Sequence, residues 1–176
     1  TAEQVSPCIL WIDELEKAFS GLGQALDGGV TQRLFGTFLT WLEERRAPVF
    51  VVATANTVSR LPPEFLRKGR FDEVFFVDLP RDEERRAIFR VHLRRRGRAP
   101  EAFDLDRLVA ASTDCSGAEI EEAVISGLYG AFDDDLRELT TEDVTRALEE
   151  TAPLARSRAD QIQAMRRWAQ LHARMA

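Results

Sequence analysis

The sequence predicts an α/β piece over residues 1–80 joined to an all-α piece over 81–176. Three observations carry this. Two short apolar runs, 8–12 and 49–55, each end abruptly on polar residues, as buried strands of a parallel sheet do. A stretch with 3–4 residue periodicity lies between them, giving the strand–helix–strand alternation of α/β folds. Beyond Pro80 the pattern becomes helical throughout, with capping signals at several helix starts.

Taken in order, Cys8-Ile9-Leu10-Trp11-Ile12 reads as a fully buried strand, and Cys8 as a buried thiol. A short helix is expected over 13–19. A glycine-rich loop follows at 20–29, suited to tight turns. Leu34, Phe35, Phe38, Leu39, Trp41 and Leu42 predict a helix over 31–46, which Pro48 ends. The run at 49–55 is a second buried strand, closed by Asn56. Pro62-Pro63 opens a helical turn reaching Leu66, because proline suits the first helical turn. Val-Phe-Phe-Val at 74–77 is a third, shorter strand, stopped by Asp78 and Pro80. Asp82 is expected to cap a helix to about 96. Further helices are expected at 104–112, 116–132, 141–150 and 158–174. Ser116 with Glu119, and Thr140 with Asp143, are capping-box spacings.

Composition narrows the class. At 176 residues and 44% hydrophobic content the chain can bury a core. Its net charge of −6 gives no general case for nucleic acid. Cys8 and Cys115 are too far apart in sequence for a CxxC metal or redox motif. No apolar run approaches the ~18 residues that suggest a membrane span. A soluble, reducing, cytoplasmic setting is expected. The start at Thr1, so close to the first strand, is read as that of a fragment.

The chemistry lies at the strand ends. Asp13 and Glu14 follow the first strand, and ligands of parallel sheets sit just beyond such ends. One acid there can hold Mg²⁺ and the other can orient or deprotonate a water. The same acids also suit the first turn of a helix. Asn56 closes the second strand, as a water-orienting amide or as a simple strand-end cap. Arg67 and Arg70, in Phe-Leu-Arg-Lys-Gly-Arg-Phe-Asp, are candidates to stabilise transition-state charge or are solvated loop charges. Together these parts suit phosphoryl transfer.

These segments resemble the AAA+ ATPases, and within them the AAA subgroup. Cys-Ile-Leu-Trp-Ile-Asp-Glu at 8–14 resembles the Walker B strand, and Val-Val-Ala-Thr-Ala-Asn at 51–56 the sensor 1 strand. Leu-Pro-Pro-Glu-Phe-Leu-Arg-Lys-Gly-Arg-Phe-Asp at 61–72 resembles the arginine-finger segment, and Ser-Gly-Ala-Glu-Ile at 116–120 the sensor 2 region. Ile-Asp-Glu-Leu-Glu-Lys-Ala-Phe and Phe-Gly-Thr-Phe-Leu-Thr-Trp-Leu are most like a cyanobacterial and chloroplast reading-frame group of AAA ATPases. The resemblance implies strands 3, 4 and 5 of the AAA core followed by a helical lid. In the family's 5-1-4-3-2 sheet order, the strands at 49–55 and 74–77 would flank an empty slot.

It further implies ATP and Mg²⁺ as cofactors, with Asp13 on the metal and Glu14 polarising the attacking water. Asn56 would orient that water, and Arg67 and Arg70 would reach a neighbouring subunit's nucleotide. His92, Gly117 and Ala118 would lie near adenine, although a packed helix residue is an equal reading of His92. A sensor 2 arginine is lacking, as is usual in the subgroup. The implied assembly is a ring, expected to be a hexamer, acting on an unknown protein substrate. The loop at 20–29 would face its pore or simply connect. None of the ten glycines begins GxxxxGK[ST], so the isolated chain is expected neither to bind ATP tightly nor to hydrolyse it. An alternative is a pseudo-ATPase or assembly module that donates arginine fingers without its own nucleotide site. A third reading, nucleic-acid contact through the eight arginines of 81–98, is weakened by the acids at 82–84.

Overall fold

The computed structural model describes residues 2–19, 30–58, 61–67 and 69–176. The loop expected at 20–29 lies outside these. Two compact units are present, Thr1–Phe75 with Ala169–Arg174, and Phe76–Trp168 with Met175–Ala176. The expected class, a short parallel sheet plus a helical piece, is what the chain adopts.

In the first unit, β1 (Cys8–Ile12) pairs in parallel with β2 (Val49–Ala53), Cys8 opposite Val49 and Ile12 opposite Ala53. Between them in sequence come α1 (Leu15–Ala18) and α2 (Val30–Glu44). Leu39 and Leu42 of α2 pack with Leu15, Phe65 and the inward residues Ile12, Val51 and Ala53. Phe65, in a 3-10 turn at Pro63–Leu66, is 1% exposed. Its ring lies 5.3–6.2 Å from those of Phe19, Phe35, Phe38 and Phe71. Such edge-on and tilted contacts add to what burial alone contributes. They fix the turn that precedes Arg67.

Several expectations are corrected here. β1 is not fully buried: Ile9 and Trp11 are exposed, as is Phe50 opposite Ile9. Successive strand residues face opposite sides, and the core just described covers one side only. Cys8 is half-buried, its thiol donating to the Ala2 carbonyl at 3.3 Å. The first helix begins at Leu15 rather than 13, so Asp13 and Glu14 lie outside it. β2 stops at Ala53, although Thr54 N–H still donates to the Ile12 carbonyl at 2.9 Å. The third strand shrinks to β3 (Phe75–Phe76), which pairs with β4 (Arg174–Met175). β4 ends the last helix early.

The second unit holds α3 (Asp82–Arg95), α4 (Leu105–Ala111), α5 (Gly117–Asp133) and α6 (Thr141–Glu150). After these come α7 (Leu154–Ser157) and α8 (Ala159–His172), whose residues up to Trp168 belong to this unit. Phe89, Leu93, Leu108, Ile120, Val124 and Val144 form a core with essentially no exposure. Both predicted capping boxes form. Ser116 N–H donates to Glu119 Oε2 at 2.7 Å, and Thr140 N–H to Asp143 Oδ2 at 3.0 Å. α3 is not capped by Asp82; Glu84 reaches back to the Arg81 N–H at 2.7 Å instead. Gly127 allows close approach of α5 to α6, since a Cβ there would stand 3.2 Å from Asp143 C and Val144 N.

Candidate active site

The site is assembled at the carboxyl ends of β1 and β2, where the parallel register places 13–16 beside 54–56. Thr54 is the hub. Its hydroxyl donates to Asp13 Oδ1 and accepts the Glu14 N–H at 3.0 Å, using both hydrogen-bonding capacities of one oxygen. Its carbonyl accepts the Leu15 N–H at 2.8 Å. These bonds hold Glu14 at φ 51, ψ 55, a left-handed backbone that costs a non-glycine residue about 1 kcal/mol. The turn directs Glu14 toward Asn56, whose Nδ2 donates to Glu14 Oε1 at 3.1 Å.

The other Glu14 oxygen accepts from Lys17 Nζ at 2.7 Å. That hydrogen bond first, and then the charge of the same carboxylate, hold the exposed Lys17 ammonium above its ordinary value of 10.5. Asp13 is exposed, and its Oδ2 makes no hydrogen bond among the described residues. A carboxylate with a free oxygen at a strand end suits Mg²⁺, which takes one or two protein acids beside phosphate and water oxygens. The residues present therefore fit the ion.

Arg67 and Arg70 differ. The Arg70 guanidinium is 11% exposed, with Nε donating to Glu43 Oε1 at 2.7 Å and Nη1 to the Glu64 carbonyl. Arg67 is exposed; its backbone N–H donates to the Glu64 carbonyl at 3.3 Å, but its guanidinium makes no hydrogen bond or ion pair among the described residues. In the second unit, the His92 side chain is 12% exposed, with Nδ1 3.3 Å from Glu121 Oε1, an oxygen that also accepts from Arg96 at 3.1 Å. Gly117 and Ala118 open α5, Gly117 half-buried and Ala118 exposed. A Cβ on Gly117 would meet only Ile88 Cδ1, at an ordinary 3.6 Å. Packing within the chain therefore does not require glycine there.

Two residues of this constellation were not singled out from the sequence. Thr54 was hidden in an apolar run, where a hydroxyl at the strand's last turn was the available signal. Glu16 is the other. It is 4% exposed, and its Oε1 accepts the Asn56 N–H at 3.0 Å. The arginines of 81–98 are largely neutralised: Arg85, Arg86, Arg94, Arg96 and Arg98 each pair with an acid. Among the described residues no helix is long and apolar enough to cross a membrane.

An acid pair after one parallel strand, tied to an asparagine after the next and followed by an arginine-bearing turn, defines the class. The chain belongs to the AAA family: residues 1–79 match the family described as "ATPase family associated with various cellular activities (AAA)". Within it, the chain is 50% identical over 169 residues to the uncharacterized AAA domain-containing protein ycf46 of Pyropia yezoensis. That match covers 96% of this chain and 34% of the relative, so the chain spans about a third of that relative's length. It is also 34% identical over 152 residues to the ATP-dependent zinc metalloprotease FtsH 2 of Sphaerobacter thermophilus, covering 85% of this chain and 23% of that one. Among solved structures, the FIGL-1 AAA domain in complex with ADP superposes with a TM-score of 0.73 at 20% identity, covering 94% of this chain and 57% of that chain. That likeness is one of fold.

Proposed function

We propose that this chain is the Walker B-to-lid portion of an ATPase that hydrolyses Mg-ATP, with residues 1–80 completing the α/β core and 81–176 forming the lid. The observation that carries this is the 3.1 Å bond between Asn56 Nδ2 and Glu14 Oε1, beside an Asp13 with a free oxygen. Asp13 holds the ion, which when bound neutralises charge on the phosphate oxygens. Glu14 polarises the attacking water, and its proximity to Asn56 gives that water two polar partners. His92, Gly117 and Ala118 contact the base. Arg67 is free to reach a neighbouring subunit's nucleotide in a ring, which we take to be a hexamer; Arg70 can join it only by leaving Glu43. A protein substrate and a cytoplasmic setting complete the reading.

These 176 residues contain no GxxxxGK[ST], so they offer no backbone cradle for the β- and γ-phosphates, and we expect no turnover from them alone. The alternative, a finger-donating module without a working site, is disfavoured by Glu14 and Asn56, which such a module does not need. The test is ATP hydrolysis by the complete natural protein. Glu14→Gln keeps the shape and loses the base, and is expected to slow turnover by roughly 10²–10⁴. Undiminished turnover in that variant would overturn the reading.

A further inference from the structure

Glu16 is a buried carboxylate to which the proposed chemistry assigns no task. Its Oε1 accepts the Asn56 backbone N–H at 3.0 Å, while Oε2 is buried without a hydrogen-bond partner among the described residues. Burying a carboxylate is costly unless it is well bonded. Helix stabilisation is a weak reason to keep it, because α1 has only four residues and little dipole. An apolar side chain would be the cheaper occupant of a position that is 4% exposed.

We infer that Glu16 is a positioning residue: it fixes the Asn56 backbone so that the Asn56 amide stays on Glu14. The geometry supports this from both ends. Asn56 follows the last residue of β2 by three positions and has left the ladder, so strand pairing no longer holds it. Its N–H goes to Glu16 and its side chain goes to Glu14, two residues apart just past the carboxyl end of the neighbouring strand. Glu14 is in turn pinned by Thr54. Cutting the Glu16 bond frees one corner of this frame, and a displacement of about 1 Å in such a group can cost about 10²-fold in rate. The inference rests on the ATPase reading.

The experiment is a mutant cycle in the complete natural protein, with kcat and KM for ATP as readouts. Glu16→Ala is expected to lower kcat by roughly 10- to 100-fold and leave KM unchanged. Glu16→Gln retains an acceptor oxygen for the Asn56 N–H and is expected to restore kcat. Because Glu16 acts through Asn56, adding Glu16→Ala to Asn56→Ala is expected to cause no further loss. Full activity in Glu16→Ala would overturn the inference, as would a Glu16→Gln as slow as the alanine variant, or losses that multiply with those of Asn56→Ala. If Glu16→Ala does not fold, Glu16→Asp, too short to reach the amide, takes its place in the same cycle. A parent without ATP turnover, or an unaffected Glu14→Gln, sinks the ATPase reading and this inference with it. A working parent, a slow Glu14→Gln and an unaffected Glu16→Ala sink the role of Glu16 alone.

Discussion

Two glycines three residues apart on α5 should respond to alanine in opposite directions. Gly130 is exposed, and a Cβ there meets nothing within 4 Å. Gly130→Ala therefore keeps the whole benefit of restricting the unfolded backbone, about 0.5–1 kcal/mol of added stability. Gly127 is buried, and its Cβ would stand 3.2 Å from Asp143 C, Val144 N and Leu139 Cδ1. Leu139 can rotate away, but the α6 backbone cannot easily yield. Asp143 is held by the Thr140 N–H at 3.0 Å, the Thr140 hydroxyl at 2.6 Å and two Arg137 nitrogens at 2.6 and 2.7 Å. Overpacking costs about 1–3 kcal/mol, against a helix-propensity gain of about 1 kcal/mol. Gly127→Ala should then lose about 1 kcal/mol, placing the two variants nearly 2 kcal/mol apart. In a chain of this size each kcal/mol moves Tm by about 2–4 °C. Urea and thermal unfolding followed by circular dichroism would read the difference. A Gly127→Ala variant as stable as its parent would show that α6 gives way, and the close-packing argument would fail.

Two further stability predictions follow from the same kind of reading. Phe65→Ala removes a side chain that is 1% exposed and should cost about 3–5 kcal/mol in urea unfolding; a loss under about 1 kcal/mol would mean the aromatic cluster does not hold the arginine-bearing turn. Hydrogen bonds from Arg137, and then those from Thr140, hold the Asp143 carboxyl well below its ordinary value of 3.8 despite burial acting the other way. The stabilisation it gives is therefore complete above about pH 4 and is lost as the pH falls below that value toward the folded pKa. Asp143→Asn should be less stable than the parent at neutral pH and should flatten the acid limb of the stability profile; parallel profiles would refute it.

The elements legible in the sequence are those set by local chemistry. β1 and the starts of α5 and α6 stand where the apolar run and capping spacings put them, because a cap is decided within four residues. What depends on distant partners was not legible. β4 continues a helical pattern and becomes a strand because Arg174 and Ala176 find the carbonyls of Val74 and Phe76. At the site, Asp13, Glu14 and Asn56 stood out by their positions after strands. Thr54 and Glu16 did not, since their bonds join residues 40 or 41 apart in sequence and depend on the β1–β2 register.

The arginines make the same point and can be tested together. In sequence, Arg67 and Arg70 are equivalent cations in one loop. In the structure Arg70 is nearly buried against Glu43, 27 residues away, and the Glu64 carbonyl, whereas Arg67 is exposed and unpaired among the described residues. Arg70→Ala should therefore destabilise the chain by about 1.5–3 kcal/mol, the usual worth of hydrogen bonds from a charged group. Arg67→Ala should leave stability within about 0.5 kcal/mol of the parent. If, as we propose, Arg67 reaches a neighbouring subunit's nucleotide, its removal should instead slow turnover by on the order of 10³–10⁵. Mixing Arg67→Ala subunits with Glu14→Gln subunits then separates the roles. Interfaces that join an intact Arg67 to an intact Glu14 should recover turnover that neither variant has alone. No recovery in mixed assemblies would place Arg67 in its own subunit's chemistry, and a stability loss in Arg67→Ala equal to that of Arg70→Ala would erase the distinction drawn from their partners.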